Sequence, residues 1–102
     1  MIIYDPKIAI LLIAFNRSNI KQVFDRIKEV KPRRLYIAVD GSTNDTQCKI
    51  CKETTSIVSH IDWECQVFKL YQGKNQGYDK HCFDSISWFF EQEPEGVILE
   101  DD

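Results

Sequence analysis

Nine residues near the amino terminus, KIAILLIAF (7–15), constrain the fold more than any other part of the sequence. Apolar side chains follow one another there without alternation, so a strand made from them has no face to give to water. The uninterrupted stretch, Ile8 to Phe15, is eight residues long, whereas a membrane-spanning helix needs about 20. A short, β-branched run of this kind belongs inside a sheet that is covered on both sides. Parallel sheets with helical crossovers provide that setting.

The rest of the chain carries the same logic. Ile20, Val23, Phe24 and Ile27 recur at helical spacing, which predicts an amphipathic helix over about 19–30, capped by Ser18 or Asn19 and stopped by Pro32. RRLYIAVDG (33–41) reads as a second buried strand closing on a glycine turn. STNDT is turn chemistry and opens a weaker helix over about 45–59. ECQVFKLYQ (64–72) alternates more, as a strand nearer a sheet edge would. After the loop GKNQG, the spacing of Cys82, Ile86, Phe89 and Phe90 predicts a helix over 78–92, ended near Pro94 and Gly96, and GVILE (96–100) is a fourth strand. The order β-α-β-α-β-α-β predicts an α/β fold: a three-layer, mostly parallel, Rossmann-like sheet of about four strands and three helices, with right-handed crossovers.

At 102 residues the chain has room for one hydrophobic core. Its net charge of -3 argues against nucleic acid as a partner, because no basic stripe is available to neutralise phosphates. No membrane span is expected, and MIIYDPK lacks the basic flank and cleavage site of a signal peptide, so a cytoplasmic location is expected, peripheral to the membrane at most. Four cysteines should then be reduced thiols. Cys48 and Cys51 form a C-x-x-C that His60, Cys65 and His81 could complete as a zinc site. However, TQCKICKETTSIVSHI reads as a helix, no second C-x-x-C follows, and Cys82 falls on an apolar stripe. Free thiols, buried or half-buried, are the better expectation.

In open parallel sheets, ligands collect at the carboxyl ends of the strands, near the point where strand order reverses. Each polar cluster of this sequence follows a strand: NRS the first, DGS the second, GKNQG the third and EDD the fourth. Missing motifs exclude several chemistries. No G-x-G-x-x-G, P-loop or G-x-S-x-G is present, and FNRSN lacks the acidic pair of a receiver domain. What remains is carboxylates and one well-placed cation. Adjacent acids at a strand end repel each other unless a positive charge lies between them. Hard oxygen donors suit Mg²⁺ or Mn²⁺ shared with substrate phosphates, and the Arg17 fork could reach the same phosphates. Asp40 lies too far along the sheet to be a metal ligand and suits an N–H or sugar hydroxyls instead.

ILLIAFNRSN, IAVDGS, KNQGYDKHCFDSISWFF and VILEDD together resemble the nucleotide-sugar-binding half of a GT-A glycosyltransferase, of the kind seen in family-2-like bacterial enzymes and N-acetylglucosaminyltransferase I. The likeness covers nearly the whole chain and rests on order and spacing, since each motif alone is weak. It implies that residues 1–102 form a donor subdomain belonging to a longer enzyme, one of polysaccharide biosynthesis. The donor would be a nucleotide-sugar, UDP-sugar above others, and Mn²⁺ or Mg²⁺ would be the cofactor. The saccharide acceptor and the catalytic base would belong to a second half beyond residue 102, leaving this part inactive alone. By the same resemblance, Arg17 lies near the diphosphate, Asp40 meets the uracil ring, and Lys74, Asn75 and Gly77 flank the nucleotide. Glu100 and Asp101 face the ribose or sugar, and Asp102 holds the metal in a D-x-D-like motif.

Two other readings compete. A sugar nucleotidyltransferase resembles the same layout but wants a glycine-rich basic loop after the first strand, which FNRSNIKQ lacks. A non-catalytic nucleotide-binding or interaction module would bind without metal or through a self-association surface. A sheet ending at its fourth strand exposes an edge and apolar faces, so self-association is expected.

Overall fold

In the computed structural model the described residues are 5, 7–14, 20–40, 56–57, 60–71 and 76–100. The apolar run forms β1 (Ala9–Ala14), every residue of which is buried. It lies between β2 (Arg34–Val39) and β4 (Gly96–Glu100), while β3 (Gln66–Tyr71) pairs with the far side of β2. All three pairings are parallel and the order is β3-β2-β1-β4. The sequence pattern explains that order. β1 and β2, the continuous apolar strands, take the inner positions, while β3 and β4 accept edges and stay partly exposed.

Two helices are present among the described residues, α1 (Ile20–Val30) and α2 (Tyr78–Phe90). The third helix expected over about 45–59 lies mostly outside the described residues; residues 56–57 have helical backbone. Alternation along β1 separates two clusters. Ile10, Leu12 and Ala14 join Ile20, Phe24 and Ile27 of α1, whereas Ala9, Leu11 and Ile13 join Phe89 and the flanking Ile86 and Trp88 of α2. Each large side chain fully buried this way contributes about 1.5–3 kcal/mol relative to exposure. Lys31 (φ 50) ends α1 in the left-handed region, its N–H reaching the Ile27 carbonyl at 3.0 Å, and Pro32 cannot continue the helix.

The α2 stripe differs from the expected one. His81, Ser85 and Phe89 are the buried set, Cys82 and Ile86 are half-buried, and Phe90 is 45% exposed. Phe24 and Phe89 are in the core, Trp88 is half-buried and Phe90 is not in it. The physical reason is the sharp alternation of the sheet surface beneath. Phe89 lodges over Gly96, the one β4 position without a side chain, and this sets the helix rotation.

At the amino ends of the strands a polar clasp locks the layers. Glu93, just past α2, accepts from Arg34 Nε at 2.8 Å, Arg34 Nη2 at 2.9 Å and Tyr36 Oη at 2.6 Å. Arg34 Nη2 also donates to the Lys7 carbonyl at 2.7 Å. Burial opposes ionisation of Glu93, but the bonds from Arg34 and Tyr36 and the Arg34 charge outweigh it and hold the carboxyl below its ordinary value. Burial first, and then the Glu93 carboxylate, push the Tyr36 phenol up to about 12.

Candidate functional site

The strand order places the reversal at the β1–β4 seam. From β1 the chain moves outward through β2 to β3, then returns over the sheet on α2 to add β4 on the other side of β1. In open sheets of this kind, ligands bind outside the carboxyl ends of the strands beside such a reversal, which here are the ends of β1 and β4.

Asp40 follows β2 directly, its N–H donating to the Ala14 carbonyl at 3.2 Å. Tyr36 and Ala38 face the α2 side, so continued alternation turns Asp40 toward that side too. There its Oδ1 accepts from the Gln76 backbone N–H at 2.8 Å. Across β1, Glu100 is in register with Ile13, and the same alternation turns it toward α2. Glu100 Oε1 accepts from Tyr78 Oη at 3.0 Å. The two carboxylates therefore flank the end of β1, and three consecutive residues, Gln76 to Tyr78, connect them.

Gly77 makes that connection possible. Its φ of 80° and ψ of 165° fall in a region that essentially only glycine occupies. Its carbonyl then accepts the His81 N–H at 3.0 Å, starting α2. Tyr78 is 51% exposed at this end of the sheet, and its bond to the Glu100 carboxylate, with the nearby charge, raises its phenol pKa. Burial pushes the Cys82 thiol pKa up and the Glu100 charge adds to it, which disfavours the thiolate.

Of the residues proposed from sequence, the structure brings Asp40, Gly77 and Glu100 to one end of the sheet. Arg17, Lys74, Asn75, Asp101 and Asp102 lie outside the described residues, as do Cys48 and Cys51. A zinc site joining Cys65 to His81 does not form. Cys65 packs with the α1-side cluster, whereas His81 is buried on α2 across the sheet, its Nδ1 3.4 Å from Ser85 Oγ. Among the described residues, no three His, Cys, Asp or Glu side chains gather as a metal would require, and Cys65 and Cys82 are free thiols. No helix among them is long and apolar enough to cross a membrane.

Two contributors escaped the sequence reading. Gln76 acts through its backbone N–H, which no side-chain pattern can reveal. Tyr78 was legible only indirectly: it follows the turn glycine, and period-two alternation from Gly96 places Glu100 on the face that α2 covers. No family model matches the chain, and neither a curated protein nor a solved structure matches it.

Proposed function

We propose that this chain is the donor-binding part of a metal-dependent glycosyltransferase, taking a nucleotide-sugar, UDP-sugar above others, for transfer to a saccharide hydroxyl. The observation that carries the reading is the convergence of Asp40 and Glu100 on the end of β1, at the seam where the order β3-β2-β1-β4 reverses. A nucleotide seated there would have Asp40 beside its base. The Gln76 N–H donates to Asp40 Oδ1 at 2.8 Å, which orients the carboxylate at that end of the sheet. Arg17, Lys74 and Asn75 would supply positive charge and donors from the adjoining segments. Glu100 and Asp101 would meet ribose or sugar hydroxyls.

Asp102 is the residue proposed to hold Mn²⁺ or Mg²⁺. Glu100 is the described carboxylate at that strand end, and hard oxygen donors of this type fit those ions and no softer metal. When bound, the ion would neutralise diphosphate charge. The protein's own part is to orient the base through Asp40 and to hold Glu100 in place through Tyr78. None of the described residues is assigned as the base that would deprotonate an acceptor hydroxyl.

Thermal unfolding with UDP, GDP, TDP and CDP, each with Mn²⁺ and with EDTA, tests the reading. Ligand at 100 times its Kd adds about 2.7 kcal/mol, a rise of roughly 10 °C or more for a domain this size. A UDP shift that needs Mn²⁺ and is lost in Asp102→Ala supports the proposal. If no nucleotide moves the transition of a well-folded sample, the reading is wrong.

One observation favours the interaction-module alternative. Phe83 and Phe90, one heptad apart on α2, are 71% and 45% exposed, and Val97 and Ile98 on the β4 edge are each 37% exposed. Apolar surface of this kind suits a contact with protein, and nucleotide binding without metal would strengthen that reading.

A further inference from the structure

We infer that Gln76–Tyr78 is a strap latched at both ends, which sets the orientation of the Asp40 and Glu100 carboxylates relative to each other, with Tyr78 the positioning residue for Glu100. β2 and β4 stand on either side of β1, roughly 10 Å apart at strand spacing. The strap crosses this gap on the α2 side, which both carboxylates face. One latch is the Gln76 N–H bond to Asp40 Oδ1 at 2.8 Å, and the other is the Tyr78 Oη bond to Glu100 Oε1 at 3.0 Å. Between them only Gly77 separates the two anchored residues, with φ 80 and ψ 165. A link this short transmits: movement of Tyr78 must be absorbed at Gly77 or passed to Gln76. Helical bonding from the Gly77 carbonyl to the His81 N–H ties the same glycine to α2, and this leaves little freedom to absorb it.

Two separate surface hydrogen bonds would behave differently from a strap. In a strap, loosening one latch loosens the other, although the two hydrogen bonds share no atom. The consequence for ligand rests on the proposed donor site, where the two carboxylates meet opposite ends of one nucleotide-sugar. The coupling itself does not depend on ligand.

Amide hydrogen exchange at Gln76, read by NMR on the ligand-free chain, tests it. Asp40→Ala removes the acceptor and should accelerate Gln76 exchange. The deciding variant is Tyr78→Phe, which keeps the half-exposed ring and deletes only the hydroxyl. The strap predicts that Gln76 exchange rises at least about twofold, the lower end of what one net hydrogen bond supplies, and that Glu100→Gln moves it in the same direction. Lys80→Ala, which removes the exposed 2.9 Å pair with Asp84 in the same helix, should leave Gln76 unchanged. Unaltered Gln76 exchange in Tyr78→Phe overturns the inference, as does an equal rise in Lys80→Ala, which would signify general fraying of α2. Coupled exchange without nucleotide binding would sink only the donor-site reading. Nucleotide binding with uncoupled exchange would sink only the strap.

Discussion

Glu93→Ala should be the most damaging single change to the polar framework, and its cost can be worked from the clasp. Three bonds end on this carboxylate, two from Arg34 and one from Tyr36, and the side chain is 6% exposed. Removing one partner of a buried ion pair costs about 3–5 kcal/mol. The Arg34 side chain, however, is 33% exposed, so water takes up part of its loss. The buried Tyr36 hydroxyl has no such relief, and an unsatisfied buried donor costs about 1–3 kcal/mol. Together these give about 2–4 kcal/mol for Glu93→Ala, or a fall of roughly 10–25 °C in Tm. Glu93→Gln keeps the volume and one acceptor, and should cost about 1–2 kcal/mol.

The pH dependence separates charge from packing. Because the folded pKa of Glu93 is lowered, the stability it contributes is present above its ordinary value of 4.5 and is lost as the pH falls through the lower folded value. The gap between wild type and Glu93→Gln, measured by urea unfolding, should therefore be full at pH 7 and narrow toward pH 3. A Glu93→Ala variant within 0.5 kcal/mol of wild type at pH 7 (a threshold of about the scatter for ordinary surface changes), or a gap that widens on acidification, would refute the reasoning.

Gly77→Ala should cost about 1–3 kcal/mol, since a Cβ there meets nothing within 4 Å and the whole penalty is conformational; thermal unfolding reads the cost, and the Gln76 amide should lose protection with it. Gly96→Ala places a methyl against the buried Phe89 ring and the Ala9 carbonyl, so about 1–3 kcal/mol of overpacking is expected in urea unfolding, relieved in part by Phe89→Leu. At alkaline pH the Tyr36 phenol adds stability that is complete below its ordinary 10.0 and lost as the pH rises through about 12; Tyr36→Phe should remove that component of the decline, as circular dichroism against pH would show. The exposed Val97 and Ile98 edge with Phe83 and Phe90 predicts concentration-dependent association by light scattering, reduced by Phe83→Ser and absent if the chain stays monomeric throughout.

Much of the sheet was legible because its residues leave few choices. AILLIA cannot alternate, so β1 had to lie inside, and QVFKLY alternates, so β3 reached an edge. Pro32 and the Gly96 strand start also mark their boundaries closely. Helix rotation was less legible. Period alone could not distinguish the Cys82–Ile86–Phe90 side of α2 from the His81–Ser85–Phe89 side, because the deciding fact is the space above Gly96, a long-range contact. The clasp was invisible for the same reason: Arg34 and Glu93 are 59 positions apart, and nothing local marks either one as paired. At the candidate site, Asp40 and Glu100 were legible as polar strand ends. Their link through a backbone N–H and a tyrosine hydroxyl depends on how α2 enters, which only the fold decides.

The central claim is that the carboxyl end of β1, between Asp40 and Glu100, is the nucleotide site. Titrating UDP with Mg²⁺ into the isotopically labelled chain and following backbone amides tests it most directly. The account predicts saturable shifts centred on Asp40, Gln76, Gly77, Tyr78 and Glu100, with the clasp at Arg34 and Glu93 left unmoved. Shifts centred on the clasp or on the outer face of α1, or no saturable shift at all, would contradict it.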